Sequence, residues 1–502
     1  MQNRDLEKTS YSSNKTFAAI LWNFSRVFTQ TGVSFIVGII LARLLSPESF
    51  GIMAIALFFV GFSELLSSVG VGAAIIQRKN LTQRHLEAAL MFSTLMAVLF
   101  FTLWWISSDY IAVFFDEPAL VDIIKVLSIG MFVSTATSVH RAHVIREMNF
   151  KLLAKLDVFG FMIGYALISL TLVYLDYDVW GLVIGNLVWM CLTGLLLFYF
   201  SEVKCKPRWR SKETKELLAF GLGISLNSFI AFFVASTNTL VIGKFLGAGP
   251  LGLFSRANQI SGMPLKKIAV TISSVLFSSY SSIQDQPELL KNEYHRALTA
   301  VAMISLPILV VAVISGEYVI VGLLGDKWVA AAPIFQLLCF GAMFSNILHI
   351  AGSLVQATGH VYLEAKRQMI SLIILVAGSL YAIQYGLHAV IWVQISASIC
   401  LYFTMGHLVI WILDSNWKEY FSAQAPGVLL AILVGAWNVM TIYCLDTYFD
   451  FPVALDLLII SISAGFSYVF WISTVPVKAF KRMREKGLKM LASKMPQGPG
   501  VS

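Results

Sequence analysis

Charge is what this chain has least of. Only 13% of its 502 residues are Asp, Glu, Lys or Arg, against roughly 25% in a soluble domain, while 58% are hydrophobic. No stretch of soluble-domain size remains between the apolar runs. Cysteine is sparse as well. Cys191, Cys205, Cys339, Cys400 and Cys444 show no C-x-x-C or zinc-like spacing, so they read as core or solvated residues rather than a metal site. A Walker A loop is missing, because "VIGKF" lacks both the leading glycine and the following Ser or Thr, and direct use of ATP goes with it. His140 and His143 stand three apart with no third ligand nearby, which makes them interfacial residues; no metal and no cofactor are expected.

What the chain does have is long apolar runs. A hydrocarbon core about 30 Å thick takes about 20 apolar residues per helix, and such runs recur at 16–44, 48–76, 86–107, 121–141, 152–175, 179–201, 216–245, 250–280, 296–316, 331–356, 367–386, 388–412, 424–445 and 453–475. The sequence therefore predicts an all-α polytopic membrane protein of about fourteen transmembrane helices. The first run is too long for a signal peptide and lacks a small-residue cleavage site, so it is expected to stay as a helix.

Basic residues gather at alternate junctions: Arg78, Lys79 and Arg84; Arg141, Arg146, Lys151 and Lys155; "KCKPRWRSK"; Lys366 and Arg367; and the tail "KAFKRMREKGLKMLASK". The opposite junctions carry Asp109, Asp116, Glu117, Asp176, Asp178, Asp446 and Asp450. By the positive-inside rule both termini are cytoplasmic. The net charge of +8 is then a cytoplasmic rim that meets anionic membrane lipids, with no nucleic-acid partner.

The chain also repeats itself. "ILARLLSPESFGIM" from Ile40 aligns with "VIGKFLGAGPLGLF" from Val241 at an offset of 201, setting Arg43 on Lys244, Leu45 on Leu246 and Gly51 on Gly252. At an offset of 211, Leu127, Gly130, Ser134, Val144, Leu152, Ala154 and Lys155 meet Leu338, Gly341, Ser345, Val355, Leu363, Ala365 and Lys366. This implies two parallel six-helix lobes followed by two further helices. The expected division is a cytoplasmic N-terminus (1–15), an N-lobe (16–201), a basic linker (202–215), a C-lobe (216–412), helices 13 and 14 (413–475) and a basic tail (476–502).

Transporters built from such repeats place substrate at the seam between them, and two helices carry polar stripes suited to one. On the first, Asn23, Arg26, Gln30 and Ser34 fall within about 80° of arc. On the eighth, Arg256, Gln259, Lys267, Ser274, Ser278 and Ser281 form a second stripe, with Pro264 a candidate kink. Lys266 points about 100° away from Lys267. A lysine near the bilayer centre costs at least about 2.5 kcal/mol, so such cations are expected to face water or an anion. Glu64 is read as the one deep carboxylate, a counter-ion or a proton- or sodium-coupling group. The alternative for the whole set is a buried ion pair that only fixes helix packing.

The segments "LARLLSPESFGIMAIALF", "GVGAAIIQRK", "LGAGPLGLFSRANQI", "SSVLFSSYSSIQD" and "FQLLCFGAMFSNILHIAGSLVQATG" resemble the polysaccharide transporter family. These are the Wzx-type oligosaccharide flippases of the multidrug/oligosaccharidyl-lipid/polysaccharide exporter superfamily, and the likeness extends to the branch that exports colanic- and teichuronic-acid-type polymers. The resemblance implies two six-helix lobes in a V shape and alternating-access translocation of an undecaprenyl-diphosphate-linked oligosaccharide across the bacterial inner membrane. A polysaccharide polymerase is an implied partner. It also implies that Arg26 and Arg256 bind the diphosphate, to which the residue pattern adds Lys267 and Lys266; the lysine pair is not part of the family's pattern. Trp22, Asn23, Gln30, Asn227, Asn238 and Gln259 are candidate sugar contacts. Two other readings stand beside this one. A multidrug or cation antiporter of the same superfamily would want more carboxylates than cations, and a membrane glycosyltransferase or polymerase would want catalytic carboxylates or a loop domain.

Overall fold

The computed structural model describes Trp22, residues 25–68, 71–78, 80–203, 205–476 and Phe480, and only the backbone at 68, 73, 219–227, 263–271 and 274. All of the secondary structure described is helical. In chain order the helices are α1 (Ser25–Leu44), α2 (Pro47–Ser68), α3 (Val71–Gln77), α4 (Gln83–Phe115), α5 (Leu120–Ala136), α6 (Ser138–Arg146), α7 (Phe150–Phe161), α8 (Ser169–Tyr174), α9 (Val179–Phe200), α10 (Ser211–Leu246), α11 (Ala248–Ser282), α12 (Pro287–Ile314), α13 (Gly316–Leu324), α14 (Ala332–Ala357), α15 (Val361–Ala382), α16 (Leu387–Ile412), α17 (Trp417–Tyr448) and α18 (Val453–Thr474). A π-helical stretch, Met162–Ile168, joins α7 to α8.

Among the described residues 13 helical stretches are long and apolar enough to cross a membrane. They match thirteen of the expected spans, and α11, 35 residues long, occupies the fourteenth. The protein is a multi-pass membrane protein. Pro264 does not interrupt α11, although an interior proline removes one helical hydrogen bond. The short α13 was not anticipated; it packs beside α14 and α18.

The chain forms two compact units, one through Ser255 and one from Arg256. The first includes α10, which the sequence places after the linker, in the C-lobe. The physical reason is packing and charge together. Leu217 of α10 joins an apolar cluster with Ile75, Ala88, Leu90 and Val139, Arg210 Nη2 donates to Glu87 Oε2 at 3.1 Å, and Arg78 pairs with Glu216. Several of the basic junction residues are thus engaged within the protein rather than left to lipid.

Each unit repeats one pattern of helix neighbours. In the first, α4 packs on α5, α5 on α9, and α7 and α8 on α9; in the second, α12 packs on α14, α14 on α16 and α15 on α16. α17 closes the second unit against α12, with α18 on α17 and α13. The core there is aromatic: Tyr280, Tyr294, Tyr402 and Tyr420 are buried among leucines and isoleucines of α12, α14 and α16.

The offset of 201 has a direct structural counterpart inside the first unit. A Cβ at Gly51 would lie 1.8 Å from the carbonyl oxygen of Ala248, and one at Gly252 would lie 1.7 Å from that of Pro47. Pro47 and Ala248 are themselves repeat-related, as are Gly51 and Gly252. The first turns of α2 and α11 therefore meet reciprocally, backbone on backbone. Only glycine permits that approach at either position.

Candidate functional site

Arg26 lies two residues into α1 and is tied down from an unexpected direction. Its Nη1 donates to Asp157 Oδ2 at 2.5 Å, and Arg141 of α6 grips the same carboxylate with two bonds, Nη1 to Oδ2 at 3.0 Å and Nη2 to Oδ1 at 2.7 Å. Asp157 is buried, whereas Arg141 keeps 39% of its side chain exposed and Arg26 keeps 20%. Two guanidiniums on one carboxylate leave a net positive charge, and the bidentate fork gives it fixed geometry.

The sequence reading took Glu64 as the one deep carboxylate. Burial singles out three others, Asp157, Glu87 and Glu364, while Glu64 of α2 is exposed. Asp157 was missed because it follows the basic "KLLAK" segment and so looks like part of an interfacial helix end. The α7 fold turns it inward: Leu153, Leu156, Asp157, Gly160 and Phe161 form the buried face, and the π-helical turn that follows seats Gly164 against Gly185 and Trp189 of α9. A signal was available in the 3.6-residue period, which puts Asp157 on the apolar side and Lys155 on the opposite one.

Arg26 also lines a cavity of about 670 Å³ between α1, α7 and α9, together with Thr29, Lys155, Phe159, Met162 and Leu196. A second cavity, of about 450 Å³, lies next to it and is more polar, with His143, Glu147, Asn149, Lys151 and Glu202 on its walls. Trp22 and Phe200 border both, and Lys151 Nζ sits 5.8 Å from the centre of the Trp22 ring. The turn between α6 and α7 brings Lys151 there. Met148 adopts a left-handed conformation, φ 57°, and the Asn149 side chain caps α7 by accepting from Leu152 N at 3.1 Å.

In the second unit Arg256 is buried and its Nη1 donates to Gln259 Oε1 at 2.5 Å, so the two expected neighbours on that stripe do meet. Gln30 is half-buried on α1 and Asn238 is buried on α10. Asn23 lies outside the described residues, as do the side chains of Asn227, Lys266 and Lys267, whose backbone is helical. His140, read as interfacial, is buried with its ring 5.3 Å from that of Phe198.

A family model described as "Polysaccharide biosynthesis protein" matches residues 40–333, more than half of the chain. The chain belongs to that family. Among curated proteins it is similar to the lipopolysaccharide biosynthesis protein WzxC of Escherichia coli, 25% identical over 440 residues that cover 84% of this chain and 88% of that one. It is also similar to the teichuronic acid biosynthesis protein TuaB of Bacillus subtilis, 24% identical over 434 residues, 85% of this chain and 88% of that one. Among solved structures it shares its fold with the lipid II flippase MurJ in an inward closed conformation. That match has a TM-score of 0.73 at 13% identity and covers 93% of this chain and 99% of the other. The transporter family expected from the motifs is the one found.

Proposed function

We propose that this family member is a flippase of the bacterial inner membrane that carries an undecaprenyl-diphosphate-linked oligosaccharide from the cytoplasmic to the opposite leaflet by alternating access, with both termini cytoplasmic. The observation that carries this reading is the Arg26–Asp157–Arg141 cluster beside a cavity of about 670 Å³ in a chain of the polysaccharide biosynthesis family. A buried carboxylate holds the guanidinium of Arg26 in place, and that guanidinium still reaches the cavity. Guanidiniums recognise phosphoryl oxygens by charge-assisted bonds. Arg26 in the first unit and Arg256, oriented by Gln259, in the second are the proposed diphosphate ligands, with Lys267 and Lys266 in support. Asn23, Gln30, Asn227 and Asn238 are proposed as sugar contacts.

Glu64 is the proposed counter-ion or ion-coupling group, and a polymerase that receives the product is the proposed partner. A cationic-drug antiporter fits less well. Asp157 is already neutralised by two arginines.

The test is accumulation of the undecaprenyl-linked repeat unit on the cytoplasmic leaflet in cells carrying wild type, Arg26→Ala or Arg256→Ala at matched membrane expression. Accumulation in both variants with surface polymer lost is the expected result. Normal export in both would show that the arginines only hold helices together.

A further inference from the structure

The basic junctions do not form a uniform charged rim. Several of their arginines are spent inside the protein: Arg78 pairs with Glu216, Arg141 grips Asp157, Arg146 Nη1 donates to the Arg78 carbonyl at 2.8 Å, and Arg367 Nε donates to the Thr404 carbonyl at 3.0 Å. An outward group remains in the segment between α9 and α10. There Lys206, Arg208, Lys212 and Lys215 are all exposed, and Trp209 stands among them with 61% of its surface exposed.

This segment is held in place rather than slack. Arg208 N donates to the Glu87 carbonyl at 3.2 Å, and Arg210 Nε and Nη2 both donate to Glu87 Oε2, at 3.3 and 3.1 Å. Val203 and Cys205 pack on the apolar cluster around Ile75, Ala88 and Leu217. Trp209 Nε1 donates to Ser211 Oγ at 2.9 Å, which satisfies the indole's one polar group while the ring itself stays exposed. An apolar ring presented on a fixed backbone between cations carries an unfavourable exposure that a partner would relieve.

The geometry points to a docking site for an anionic phospholipid headgroup, built on Trp209 with Lys206, Arg208 and Lys212. Position supports that occupant. The segment begins where α9 ends in the exposed aromatics Phe198, Tyr199 and Phe200. On α4, Glu87 lies eight residues, about 12 Å of helix, before Leu95, the first residue of that helix with an exposed large apolar side chain. The headgroup layer is about 5–8 Å deep on each side of the hydrocarbon, so the backbone tied to Glu87 stands at its outer edge and long basic side chains reach back into it. Charge and composition agree: basic residues next to a membrane attract acidic lipids, and an indole settles at the headgroup level. A neutral headgroup would use the ring and leave the cations idle. Because Arg210 and Glu216 tie the same stretch to α3 and α4, a lipid docked here fastens the start of α10 to the first unit from outside. The site is separate from Arg26 and does not depend on what the protein transports.

The experiment counts phosphatidylglycerol and phosphatidylcholine bound to the purified full-length protein by native mass spectrometry as each lipid is titrated into detergent, with a soluble glutamate-rich peptide as competitor. One variant combines Lys206→Gln, Arg208→Gln and Lys212→Gln, and a second is Trp209→Ser. A control of equal charge loss combines Lys481→Gln, Arg482→Gln and Arg484→Gln in the tail. Thermal unfolding checks that each variant folds.

One basic residue beside an anionic surface is worth about fivefold in affinity. Wild type is expected to prefer phosphatidylglycerol, the linker triple variant to bind it at least about tenfold more weakly, and the tail variant to change by no more than about twofold. Trp209→Ser should weaken binding of both lipids. Equal losses in the linker and tail variants would show a diffuse basic rim and overturn the site, as would equal affinity for the two lipids. Displacement of phosphatidylglycerol by the peptide at lower concentration would assign the loop to an acidic protein face and overturn the lipid.

Discussion

The two units place unlike chemistry at repeat-related positions. At the offset of 211, Arg141 corresponds to Gly352 and Asp157 to Gln368. The first unit thus holds a carboxylate between two guanidiniums, where the second holds an amide. The second unit does bury a carboxylate, Glu364, one turn earlier on α15, where the first has the core residue Leu153. Its described hydrogen-bond donors are Gln356 and Gln368. Duplication has therefore kept the helix-packing pattern while charge has been redistributed over it. Packing depends on shape and apolar area, which many sequences satisfy, whereas a buried charge tolerates only its own partners.

The largest test of that contrast is to neutralise each carboxylate. Asp157→Asn leaves two arginines without their anion and should lower stability by about 3 kcal/mol; breaking a buried pair costs about 3–5 kcal/mol, and Arg141, 39% exposed, keeps part of its hydration. Glu364→Gln exchanges one amide-bonded acceptor for another and should cost about 1 kcal/mol or less. Thermal unfolding in detergent compares them directly, and equal losses would erase the distinction between the units. Adding Arg141→Gln to Asp157→Asn should recover part of the loss.

Where the repeat is exact, the two repeat-related turns of the first unit should behave alike. Gly51→Val and Gly252→Val each drive a side chain into a backbone carbonyl of the other helix, and a carbonyl held in a helix cannot rotate away. Each should destabilise by about 1–3 kcal/mol, by similar amounts, and the double variant should lose less than the sum because the first change already separates the two turns. A harmless substitution at one site and a damaging one at the other would show that the symmetry is only sequence-deep.

The smallest effect concerns the ion pairs that bind α10 to the first unit. Hydrogen bonds from His85 and then Arg78 hold the Glu216 carboxyl below its ordinary range. A depressed carboxylate contributes stability above the usual value and loses it as pH falls through the lowered one. Amide hydrogen exchange across 205–216 should accelerate as pH is taken from 7 toward about 3, after correction for intrinsic rates. Glu216→Gln should flatten that response while leaving the aromatic core of the second unit unaffected.

Most of the fold was legible because a bilayer simplifies the problem: about 20 apolar residues must become a helix, since no other conformation satisfies the backbone there. Thirteen of the fourteen expected spans and the family followed from the amino-acid order. So did the pairing of Arg256 with Gln259, three residues apart on one helix, because local spacing sets it. What the order alone did not disclose was partnership across helices. Asp157 lies 131 positions from Arg26 and 16 from Arg141, and although the helical period sets it on the apolar side of α7, that pattern does not name its partners. Nor did the sequence reveal that α10 joins the first unit, because the apolar faces and ion pairs that hold it become neighbours only once the chain has packed. The sequence determined which segments are helices and which residues carry charge; tertiary structure decided which charges are spent on one another, because a charge finds its partner by distance in space.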